Sequence, residues 1–213
     1  TPVPGATSIS LEATQDGTLY EEQKGSLANG SGQHIFIGTT NGTLIRRALV
    51  AFDVAGSVPA GATIASARLV LGFSRTNVTD QPSEVHRVTA SWGEGASVAG
   101  SGQGAGGVAV EGDATWVHRT WPSELWASPG GDFSPTVSAT ATIGLSKFEP
   151  INITWGSTDE MTADVQGWLD DPETNFGWIV LGNEADSPTA KRFHSRENPE
   201  EEYRPTLVIE YLP

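Results

Sequence analysis

The stretch LIRRALVAFDV, residues 44–54, alternates with a period of two. Arg47, Leu49, Ala51 and Asp53 fall on one side, and Arg46, Ala48, Val50, Phe52 and Val54 on the other. That period belongs to a β-strand, and the second side reads as its core face. The same signature recurs along the chain. TIASARLVLGF (63–73) places β-favouring apolar residues at Ile64, Leu69, Leu71 and Phe73, and residues 136–143 set Thr136, Ser138, Thr140 and Thr142 against Val137, Ala139, Ala141 and Ile143. Shorter runs at 9–11, 19–20, 34–38, 85–90, 151–155, 178–181, 190–194 and 206–211 bring the total to about ten strands. Thr14-Gln15-Asp16-Gly17 reads as a tight turn between the first two, because Asp-Gly is a strong hairpin signal.

One helix is expected over 158–169. Thr158 can cap it, Asp159 and Glu160 lie in the first turn where the helix dipole favours anions, and Met161, Val165, Trp168 and Leu169 share a stripe. Asp171-Pro172 stops it. Many short antiparallel strands, one helix and no strand–helix–strand rhythm predict an all-β fold, a jelly-roll-type antiparallel β-sandwich. No internal repeat or Pro/Ser-rich linker divides it, so residues 1–213 read as a single domain. The expected core includes Val50, Phe52, Leu69, Leu71, Ile179 and Leu207, with the helix across one open end.

Residues 92–133, WGEGASVAGSGQGAGGVAVEGDATWVHRTWPSELWASPGGDF, break the alternation. A glycine-rich run is costly to order and has little to bury, whereas a tryptophan seeks cover. This segment carries Trp92, Trp116, Trp121 and Trp126 together with His118 and Arg119. That conflict marks either a loop folded down on the sheet or a binding surface.

Composition narrows the partners. Twelve Lys and Arg against 26 Asp and Glu give a net charge of −14, which repels nucleic acid and anionic membranes. No run approaches the ~18 apolar residues of a membrane span, so no membrane insertion is expected. The absence of cysteine excludes disulfides, thiolate zinc sites and a cysteine nucleophile. The opening TPVPGATSI has no basic or apolar leader, so an exported chain would already have lost its signal.

Several segments resemble one known family. DGTLYE (16–21), IRRALVAFDV (45–54), PAGATIASARLVL (59–71), SWGEG (91–95), GDATWVHR (112–119), PGGDF (129–133), MTADVQGWLDDPETNFGWIVLGNE (161–184) and AKRFHSREN (190–198) are together similar to the DNRLRE-domain family, which is also classed as a carbohydrate-binding module. The resemblance covers nearly the whole chain in consistent order. It implies a secreted β-sandwich without catalysis, borne on bacterial and archaeal surface proteins or beside polysaccharide lyases. It carries no residue-by-residue ligand set.

Metalloprotease, nucleophile-elbow, P-loop and EF-hand spacings are all absent. Glu94, Glu111 and Asp113 supply carboxylates from one loop, as glycoside cleavage would need, but three acids among 26 need no such explanation. Trp116, Trp121 and Trp126 can stack on sugar rings, and His118 and Arg119 can bond hydroxyls or a uronate carboxylate; these five are the candidate carbohydrate-binding residues. The alternative is that the rings are core and Arg119 pairs with a nearby acid. His34, His86, His118 and His194 lack the close spacing of a transition-metal site. Lys191, Arg192, Arg196 and Arg204 stand against Glu197, Glu200, Glu201 and Glu202 as expected ion pairs. Asp16, Glu21 and Glu197 are candidate ligands of a structural Ca²⁺, because the first and last strands of a jelly roll commonly lie side by side.

The leading reading is therefore a secreted, extracellular or cell-surface module that binds polysaccharide, including acidic glycans, and is not an enzyme. A self-associating structural or adhesive subunit of a sheath, filament or matrix is the second reading, and a polysaccharide lyase or hydrolase the third.

Overall fold

The computed structural model describes residues 4–146 and 149–213. Its strands are β1 (Thr7–Glu12), β2 (Gln15–Tyr20), β3 (Leu27–Ala28), β4 (His34–Thr39), β5 (Ile45–Ala51), β6 (Thr63–Arg75), β7 (Gln81–Val88), β8 (Gly107–Val108), β9 (His118–Thr120) and β10 (Glu124–Leu125). β11 (Phe133–Ile143), β12 (Ile151–Gly156), helix α1 (Asp159–Asp170), β13 (Trp178–Leu181), β14 (Lys191–His194) and β15 (Thr206–Leu212) complete it. All pairings are antiparallel, and the fold is the expected all-β sandwich.

One sheet runs β1-β15-β6-β14-β4, with β12 along the other side of β6; the second runs β4-β5-β13-β7-β11, with β2 on β5. β4 belongs to both. Ile35 and Ile37 pair with β14, whereas Gly38 and Thr39 pair with β5. The corner falls at Gly38, where φ is +85° and an added Cβ would stand 2.9 Å from the Thr189 carbonyl. A second crossing lies between β1 and β2, where Ala13 N donates to Pro205 O on one sheet and Thr14 N donates to Ala51 O on the other.

This crossing corrects the expected turn at Asp16-Gly17. Both residues lie inside β2, opposite Val50 and Leu49, and Gly17 does not adopt a positive φ. The chain changes sheet at 13–14 instead, so ladder pairing overrides the local turn propensity of Asp-Gly.

The helix starts one residue after Thr158, whose hydroxyl accepts from Met161 N at 3.1 Å. Met161, Val165, Trp168 and Leu169 are buried beneath it, as the stripe required. Asp164 ties the helix to the second sheet by accepting from Trp178 Nε1 at 2.8 Å and from the Ser138 hydroxyl at 2.6 Å. Gln166 reaches the first sheet, where its carbonyl accepts from Ile64 N at 2.8 Å.

Two apolar clusters form. The larger fills the sandwich with Val50, Phe52, Leu69, Leu71, Trp155, Trp178 and Leu207. The smaller lies on the outer face of the second sheet, where Leu19, Leu49, Ala51, Val88 and Ile179 meet Trp92, Ala114 and Trp126 of the glycine-rich excursion. The face of 44–54 opposite the sandwich core is thus also covered.

Replacing Gly38 by Ala forces a side chain into a left-handed backbone and against Thr189. We expect a loss of about 1–3 kcal/mol in urea unfolding; an unchanged midpoint would remove Gly38 as the corner of the sandwich.

Candidate functional site

The excursion residues do not form one surface. Trp126 is only 5% exposed, and its Nε1 donates to Thr115 O at 2.9 Å. A ring seated in that cluster has no face to offer a sugar, which corrects its expected role. Trp116 is half-buried under the Arg47 guanidinium, 4.9 Å from its ring centroid, and Arg47 is held by a bidentate pair with Glu184 at 2.8 and 2.9 Å. His118 Nδ1 faces the Thr115 hydroxyl at 3.1 Å. Arg119 donates to the Ser91 carbonyl and hydroxyl and pairs with Glu124 at 3.2 Å. Trp121 remains half-exposed. Asp113, fully buried, accepts from Val110 N at 2.6 Å and Ser97 N at 3.3 Å and so pins the excursion's backbone. Glu111 stays at the surface.

A different surface gathers chemistry. On the outer side of the first sheet, β14 and β6 set Arg192 directly opposite Arg75. Neither guanidinium has a carboxylate within 4 Å among the described residues, and Arg192 donates only to the Ser74 hydroxyl through Nε at 2.9 Å. This corrects the expected pairing of Arg192 with the glutamates of 197–202. Lys191 departs from it too: its ammonium is buried and donates to the carbonyls of Val78, Thr79 and Gly144 at 2.8–3.0 Å.

The arginine pair forms the ridge between two hollows. One, about 640 Å³, is lined by His34, His194, Tyr203, Gln33, Asn198, Glu149, Glu200 and Glu202. The other, about 260 Å³, is floored by Phe36 and edged by Thr76, Asn77 and Gly102. His34 and His194 face each other across β4 and β14 with ring centroids 5.7 Å apart, and Tyr203 lies 5.4 Å from His194 on the other side. Burial, then the nearby Arg192 charge, pushes His34 down to about 4, and burial lowers His194 as well. Both rings are neutral at pH 7. Burial and the Arg75 charge also lower Arg192.

A third feature lies under the end of β14. Asp16, Glu94 and Glu197 each bring a carboxylate oxygen to within 4.8 Å of the others. Glu21, grouped with Asp16 and Glu197 from the sequence, is not among them; its carboxylate accepts from Ile45 N at 2.7 Å. Glu94 takes that place, because the start of the excursion lies against the free edge of β2, where Glu94 Oε1 accepts from Asp16 N at 2.8 Å. Burial, with the Glu197 and Glu94 charges, holds the Asp16 carboxyl well above the usual range, and burial raises Glu94 to about 7.

No family model matches the chain, and no curated protein matches it in sequence.

The arginine pair, and the place of Glu94 beside Asp16 and Glu197, were not legible in the sequence for one reason. Arg75 and Arg192 stand 117 positions apart and meet only through a register that changes between Arg192 and Phe193. The helical or hairpin spacing that reveals a site within one element does not exist here.

Two outcomes follow. Trp126→Ala is expected to cost about 3–5 kcal/mol in urea unfolding and Trp121→Ala clearly less; equal losses would place both rings in the core. His34 is expected to titrate near pH 4 by NMR of its ring protons, well below the ordinary 6.5. Between those values the unfolded chain takes up a proton that the folded one refuses, so the His34 contribution to stability falls as pH drops from 6.5 to about 4.

Proposed function

We propose that the chain is a non-catalytic polysaccharide-binding module whose ligand is an acidic glycan, bound along the groove divided by Arg75 and Arg192. The observation that carries this reading is the pair itself. Like charges placed directly opposite on neighbouring strands destabilise a sheet unless an anion relieves them. A uronate carboxylate is such an anion, and a guanidinium receives it with two parallel hydrogen bonds. The hollows on either side give a polymer room to continue past the pair, as successive sugar units require. Tyr203 offers an apolar ring face, while Gln33, Asn198 and the glutamates offer partners to hydroxyls.

The net charge of −14 opposes a polyanion at long range. Contact at the ridge must therefore prevail within about 8 Å, the screening length at physiological salt. The resemblance to DNRLRE domains, drawn from the segments quoted above, supports the same reading and the secreted or cell-surface location that goes with it. The carboxylates of the excursion lend a lyase or hydrolase less: Asp113 is spent on backbone amides, and Glu94 is engaged with Asp16 and Arg196.

Titration calorimetry with oligouronates and with neutral glucan or mannan oligosaccharides tests it. Binding of the acidic set, weakened at least tenfold by Arg192→Ala and by Arg75→Ala with melting temperatures of the free protein that do not fall, is the expected result. Indifference of both variants, preference for neutral sugars, or release of unsaturated or reducing ends would overturn it.

A further inference from the structure

The acidic trio goes beyond the polysaccharide reading and does not rest on it. Asp16 sits on β2 opposite Val50 and is only 1% exposed, so its side chain lies inside the sandwich rather than in solvent. Its Oδ2 accepts from Arg196 N at 2.6 Å, but its Oδ1 is buried with no hydrogen-bond partner. Glu197 repeats the pattern: one oxygen is taken by the Arg196 guanidinium and Oε2 is buried and unpartnered. Glu94 completes the group, its Oε2 lying 3.3 Å from Arg196 Nη1. A buried carboxylate oxygen normally finds a donor, and here two are turned into one small space without any.

The charge balance names the missing partner. Fully ionised, the three carboxylates bring three negative charges and Arg196 returns one, leaving a deficit of two in a largely buried pocket that either protons or a cation must make good. All the free donors are hard carboxylate oxygens, with no thiolate and no imidazole among them. The geometry points to a divalent-cation site of the calcium class, with Asp16 Oδ1, Glu197 Oε2 and a Glu94 oxygen as its protein ligands. Calcium binds oxygens at about 2.3–2.6 Å, so ligands across the ion stand up to roughly 5 Å apart, whereas magnesium draws them to about 4 Å and gives up its waters reluctantly. One oxygen from each residue lies within 4.8 Å of the others, a spread that admits the larger ion, and each carboxylate has an oxygen anchored, to Asp16 N, Arg196 N or the Arg196 guanidinium.

A cation there joins three parts of the chain that are far apart in sequence: β2, the start of the excursion, and the segment after β14. That last segment carries Asn198 and follows directly on His194, both of which line the larger hollow. The site is a staple for the wall of the groove.

The full-length chain, stripped with EDTA and returned to chelator-free buffer, is titrated with CaCl₂ and separately with MgCl₂ by calorimetry, and melted with and without each salt. One calcium per chain is expected to bind. At a hundredfold excess over the dissociation constant it should raise the midpoint by roughly 5–10 °C, with a weaker response to magnesium. Asp16→Asn and Glu197→Gln should each abolish the calcium response, whereas Arg192→Ala, outside the trio, should retain it. Absence of binding heat together with superimposable melts in EDTA and millimolar calcium would overturn the site and leave a shared proton as the answer to the two bare oxygens. Calcium binding that survives both carboxylate substitutions would overturn it as well. The calorimetry on the unsubstituted chain decides the matter even if neither variant folds.

Discussion

The structure depends on burying the second sheet on both faces. Along β13, Trp178 and Val180 point into the sandwich, while Ile179 joins the outer cluster under Trp92 and Trp126. β5 does the same with Ala48 and Val50 against Leu49 and Ala51. A sheet of this kind needs a third layer, and the excursion of 92–133 supplies it with tryptophans rather than with a helix. Its glycines fit this role. At Gly93, an added Cβ would stand 2.0 Å from the Gly112 carbonyl, so the two arms of the excursion close on each other only without side chains there.

A layer made of loop must satisfy its own backbone. Asp113 accepts from two excursion amides, and Trp92 Nε1 reaches across to Phe176 O at 2.9 Å. Lys191 of β14 applies the same logic in the first sheet, where its ammonium gathers the carbonyls of Val78, Thr79 and Gly144. Buried polar groups are tolerated where their partners are complete. By that standard Asp113 and Lys191 are structural, whereas Asp16 and Glu197, each with an oxygen left bare, stand apart.

The end of β14 and the residues that follow it link the two unusual features. Residues 192–198 run from the arginine ridge through His194 to Arg196 and Glu197, and are held down where Ser195 N donates to Gln33 O and Asn198 Nδ2 donates to the same carbonyl. Charge imbalance has opposite signs at its two ends: two cations at the surface with no carboxylate partner among the described residues, and within, once the trio is ionised, a net two negative charges. Their separation lets each persist without neutralising the other. An anion in the groove and a cation below it would act on the same short piece of backbone.

Much of the fold was legible in the sequence, because strand and helix periodicities are local properties. The alternation at 44–54 and 136–143, the Thr158 cap and the stripe of Met161, Val165, Trp168 and Leu169 all answer to side chains within one element. That the first and last strands lie side by side followed from the jelly-roll expectation, but their register, Thr7 with Tyr211 through Glu12 with Thr206, did not. Tertiary structure alone decided the rest. It drew Asp-Gly into a strand, buried Trp126, spent His118 and Arg119 on their neighbours, put Glu94 where Glu21 was expected, and set Arg75 opposite Arg192. Each of these outcomes depends on which strand lies beside which and in what register. In an antiparallel sandwich those choices are made by the summed burial of two sheets and a folded loop, and no window of sequence contains that sum.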